Sequence, residues 1–72
     1  METPDSLNPR YPHIRVKLVG EDGNPFSMIG RTTSAMRKNK VPNKDIEEFS
    51  EIATNGNYHH VIATIMRWVT VY

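Results

Sequence analysis

The chain has 72 residues, a net charge of +1, 38% hydrophobic and 24% charged residues, and no cysteine. That length holds a single domain, and a chain so short buries only about 60% of the surface its unfolded form exposes. Lack of cysteine excludes disulfides, thiolate metal sites, iron–sulfur clusters and a cysteine nucleophile. The small net charge does not by itself point to nucleic acid or to an acidic surface. No apolar run approaches the ~20 residues needed to cross a bilayer. The start, Met1-Glu2-Thr3-Pro4-Asp5, has neither the basic region nor the apolar stretch of a signal peptide. A soluble protein of a reducing cytoplasm is the expectation.

Residues 1–12 carry Pro4, Pro9 and Pro12 and one aliphatic side chain, Leu7, without a period. They read as a flexible N-terminal arm ahead of a compact domain over residues 13–72. From His13 the pattern changes. Ile14, Val16 and Leu18 alternate with His13, Arg15 and Lys17, and Val19 follows, which is the period of a half-buried strand. Gly20-Glu21-Asp22-Gly23 is a turn signal.

Asn24-Pro25 reads as an N-cap followed by proline at the first helical position, where its missing N–H costs nothing. The first helix is expected to run to about Lys40. Phe26, Ile29, Thr33 and Met36 share a face, and Met28, Thr32 and Ala35 widen it. Val41-Pro42 stops the helix, because the residue before proline resists helical angles. Asn43 is the expected cap of a second helix, with Asp45, Glu47 and Glu48 near its positive end. Its stripe is Ile46, Phe49, Ile52 and Ala53, and Asn55-Gly56 ends it, with glycine as a left-handed terminator.

Asn57 caps a third helix, in which Tyr58, Val61, Ile62, Ile65 and Met66 or Val69 give the clearest helical period in the chain. Trp68-Val69-Thr70-Val71-Tyr72 has strand propensity and reads as a short final strand, one more helical turn being the alternative. The order is therefore β-α-α-α-β, a small α/β (α+β) domain with three short helices against a two-stranded sheet. If consecutive elements run antiparallel, the two strands are parallel. The expected core is Ile14, Val16, Leu18, Phe26, Ile29, Met36, Ile46, Phe49, Ile52, Val61, Ile62 and Ile65.

Little in the chain carries chemistry. His59 and His60 are adjacent, whereas a helical metal pair needs a spacing of three or four, so no metal site is expected. Ser6, Ser27, Ser34 and Ser50 sit in no elbow or triad signature. Asp45, Glu47, Glu48 and Glu51 read as dipole compensation on a solvated helix face. Gly20-x-x-Gly23 follows a strand and precedes a helix, but it lacks the P-loop lysine and a third glycine, and its two acids would repel phosphate. No catalytic residue and no cofactor is expected.

The charge layout says more. Arg31, Arg37, Lys38, Lys40 and Lys44 fall in a stretch without an acid, and the next seven residues hold four acids and no base. Cations at a helix C-terminus explain this as plain stabilisation; a phosphate-contacting basic knob is the functional reading. At the C-terminus, Trp68, Val69, Val71 and Tyr72 are candidates for self-association through a strand edge, since a two-stranded sheet leaves both edges open. Trp68 is expected in the core rather than outside, and Tyr72 partly exposed.

Leu18-x-Gly20-x-Asp22-Gly23-Asn24, Ala35-Met36-Arg37, Glu48-Phe49, Ala53-Thr54-x-Gly56-x-Tyr58 and Trp68-Val69-x-Val71 together resemble a group of short bacterial proteins, some associated with mobile elements, that carry no assigned function. The similarity runs from Ile14 to Tyr72. Its motifs are turn and core positions, so it implies a shared fold and no chemistry. Lys38-Asn39-Lys40 is more basic than that group suggests. The expectation for function is a non-enzymatic interaction or regulatory module that forms a homodimer, and the alternative is a nucleic-acid-binding accessory protein using the basic knob.

Overall fold

The computed structural model describes residues 9–18, 20 and 23–72. Strand β1 (Tyr11–Val16), helices α1 (Pro25–Lys38), α2 (Asn43–Ala53) and α3 (Tyr58–Trp68) and strand β2 (Val69–Val71) follow in that order. The fold is a small α+β domain in which β1 and β2 form a two-stranded parallel sheet. Residues 1–8 of the expected arm lie outside the described residues. Tyr11 and Pro12, also assigned to the arm, belong to β1, which starts two residues earlier than the alternation from His13 indicates.

Alternation holds in β1 itself. Ile14 and Val16 are buried, and Pro12, His13 and Arg15 are exposed. The ladder is irregular between Tyr11, opposite Val69, and Arg15, opposite Thr70. Pro12 lies in this irregular stretch, where its missing N–H leaves no gap in the ladder. Its carbonyl accepts instead from the Thr70 hydroxyl at 2.7 Å.

Asn24 caps α1 as expected, its side chain accepting from the Phe26 N–H at 2.8 Å, with Pro25 at the first helical position. The buried stripe is Met28, Ile29, Thr32, Thr33 and Met36. Phe26 is not part of it and is 76% exposed. At 100° per residue it stands about 90° round the helix from the middle of that stripe. The helix stops in a Schellman turn. Val41 N–H donates to Met36 O and Lys40 N–H to Arg37 O, with Lys40 at φ 63 in the left-handed position that glycine usually takes. Met36 and Val41 are both buried across this turn.

Pro42, not Asn43, occupies the cap position of α2, and no side chain caps it. The Pro42 carbonyl already accepts from Asp45 and Ile46, so the helix begins one residue before the asparagine could cap it. Ile46, Phe49 and Ala53 are buried, whereas Ile52, expected in the core, is 40% exposed. It too lies about 90° from the centre of its helix's buried stripe. Gly56 follows α2, but its φ is not left-handed. A Cβ there would stand 2.5 Å from Cγ of His60, so glycine is needed for the close approach of α3, not for a turn.

Asn57 caps α3 by accepting from the His60 N–H at 3.0 Å. Val61, Thr64, Ile65 and Trp68 are buried, while Tyr58 and Met66 are exposed and Ile62 and Leu18 are partly buried. Trp68 is the last helical residue and sits in the core at 5% exposure, and the chain then turns straight into β2. Phe49 meets the Trp68 ring edge-on at 5.7 Å, the Tyr11 ring stacks on it at 6.3 Å, and the Arg10 guanidinium lies 4.1 Å from its centre.

Candidate functional site

Two surfaces stand out, at different places on the domain. The first lies where both strands end. After β1 the chain turns at Gly20, whose φ of 81 is left-handed, and reaches the Asn24 cap of α1. The start of α3 and the end of β2 come to the same place. Leu18, Gly20, Gly23, Met28, Tyr58, Ile62 and Val71 line a cavity of about 400 Å³ there. Its walls are mainly apolar, and exposed Tyr58 stands at its mouth.

Among the described residues β2 pairs only with β1, and Val71 joins this cavity to the other edge of β2. The Tyr72 N–H donates to Val16 O at 3.0 Å, and the Leu18 N–H donates to Tyr72 O at 2.7 Å. The backbone groups of Tyr72 therefore face β1, and by alternation those of Val71 face outward. One residue thus offers an outward N–H and C=O together with a half-buried apolar side chain.

The second surface is a basic cleft. Arg15 of β1 with Arg31, Ser34, Ala35, Lys38 and Asn39 of α1 and its C-cap line a cavity of about 270 Å³. Arg15 also lies over the half-exposed Tyr72 ring, 4.6 Å from its centre. Of the expected basic knob, the structure brings Arg31 and Lys38 into this cleft. Arg37, Lys40 and Lys44 are exposed outside its lining. Arg15 was not part of the expected knob. The signal for it was its outward place in the strand alternation, but pairing it with α1 needs the tertiary fold.

Among the self-association candidates, Trp68 and Val69 are buried within the chain, which leaves Val71 and Tyr72 at the surface. Trp68 is covered by Arg10 and Tyr11, and that cover is tied down. The Arg10 N–H donates to Arg67 O at 3.0 Å, and the Tyr11 hydroxyl donates to the Asp45 carboxylate in the first turn of α2. The hydrogen bond to Asp45, with partial desolvation and the nearby carboxylate charge, holds the Tyr11 hydroxyl above its ordinary pKa of 10.0.

His60 is structural in its contacts. Its Nε2 donates to the Ile52 carbonyl at 2.7 Å, which also accepts from the Asn55 N–H at 3.2 Å at the end of α2. His59 is exposed and packs edge-on to Tyr58. Among the described residues no group of three or more His, Asp or Glu side chains could hold a metal ion, and no helix is long and apolar enough to cross a membrane. No family model matches the chain, and no curated protein or solved structure matches it.

Proposed function

We propose that the protein is a non-enzymatic interaction module that works by pairing with a second copy of itself through β2. The observation that carries this reading is Val71, whose outward N–H and C=O border an apolar cavity. An open strand edge is a template for another strand. A two-fold axis at Val71 would set the two copies of β2 antiparallel and extend the sheet to β1-β2-β2-β1. Val71, Ile62 and Tyr58 would then bury apolar surface beside the new hydrogen bonds, with Tyr58 suited to an interface because one end of its side chain is apolar and the other polar.

Sedimentation equilibrium at on the order of tens of micromolar tests the pairing. Twice the chain mass of 8.3 kDa is expected, and a clean mass of 8.3 kDa overturns the proposal. Val71→Pro removes an N–H that faces away from β1, so it should yield a folded monomer. A Val71→Pro protein that stays dimeric would place the contact elsewhere and equally overturn pairing through β2.

A further inference from the structure

We propose that the cleft between β1 and α1 binds phosphate groups of a nucleic-acid backbone. Arg15, Arg31 and Lys38 converge on it from two elements, and the Ser34 hydroxyl and Asn39 amide add hydrogen-bonding groups of the kind that contact phosphate oxygens. The site lies at the C-terminal half of α1, where the helix dipole disfavours an anion. Recognition there rests on side-chain cations, which is the sequence-independent, salt-sensitive mode of backbone binding.

Three observations favour a long polyanion over a single small anion. Arg15 and Lys38 are exposed, so the cleft is open at its rim. Arg37 in the last turn of α1, Lys40 in the turn after it and Lys44 in the first turn of α2 are further exposed cations. The described acids, Asp45, Glu47, Glu48 and Glu51, are all on α2, so none stands on α1 or the sheet. Lys40, just past the C-cap of α1, holds a left-handed conformation that glycine adopts without strain, so glycine can remove its charge at no backbone cost.

The test is fluorescence anisotropy of a labelled generic duplex against the full chain as salt rises from roughly 50 to 200 mM. Two phosphate contacts, by the exposed Arg15 and Lys38, predict a log–log slope of about −1.8 and a roughly 12-fold loss of affinity over that range. Arg15→Ala and Lys38→Ala should each flatten the slope by about 0.9. Lys40→Gly should melt no lower than the parent and yet bind more weakly, which separates binding from folding. Arg67→Ala removes the same charge on α3, outside the cleft. If it weakens binding as much as Lys38→Ala does, the cleft is not the site. A titration with inorganic phosphate, read from the amide signals of Ser34, Lys38 and Asn39, distinguishes the source of the anion. Binding of phosphate with no affinity for the duplex overturns the proposal, as does a flat salt dependence.

Discussion

Tyr11 shows how one residue at the start of a strand can hold three elements. It belongs to β1, stacks on Trp68 of α3 and donates its hydroxyl to Asp45 of α2. The donor must be the neutral phenol, so its pKa is raised in the folded state above the ordinary 10.0. Its contribution is present below that ordinary value and is lost as pH rises through the higher, folded one. Tyr11→Phe should therefore lower the melting temperature at neutral pH, and the gap to the parent should close above pH 10 or so. Thermal melts of both proteins across that range check this, and a gap that stays constant into strong alkali would refute it. Sequence periodicity gave no hint of the role. Tyr11 precedes the regular alternation, and its partners lie 34 and 57 positions away.

The junction of α2 and α3 is tightly constrained. His60 is held at both ends, its N–H by Asn57 and its ring by the Ile52 carbonyl, and Gly56 lies directly against it. Gly56→Ala would push a methyl group into Cβ and Cγ of His60, which cannot swing aside without losing those bonds. A loss of about 1–3 kcal/mol is expected from urea unfolding, as for other overpacked sites. His60→Ala removes the obstacle, so the double variant should be less destabilised than the two single effects added together. Strict additivity would show that the contact does not matter. Asn55-Gly56 was legible as a break between helices; that the glycine answers to a histidine four residues on, and not to a left-handed turn, was not.

Across the whole molecule, the aromatic group Phe49, Trp68 and Tyr11 links α2, α3 and β1. Phe49 is fully buried at its centre. Domains have stabilities of about 0.05–0.15 kcal/mol per residue, which for this length is roughly 4–11 kcal/mol. Phe49→Ala should cost about 3–5 kcal/mol, a large part of that total. Circular dichroism in urea should show a midpoint shifted strongly down, or a chain unfolded without denaturant. A variant that melts with the parent would mean that α2 is not packed on α3.

The order of elements, their caps at Asn24 and Asn57, and most of the core were readable from the chain, because they depend on local rules: period two or 3.6, side chains that cap, and proline and glycine that interrupt. The same rules misplaced Phe26 and Ile52, since a stripe about 90° off centre satisfies the spacing and only the neighbouring element selects which side is covered. The basic stretch was visible as composition, but its geometry was not. Arg15 is separated from Lys38 by 23 positions, and only the packing of α1 on β1 puts both into one cleft. Likewise, the outward direction of the Val71 backbone follows from the register of Tyr72 between Val16 and Leu18. Register is a relation between distant segments, and in a strand of three residues there is too little pattern to specify it in advance.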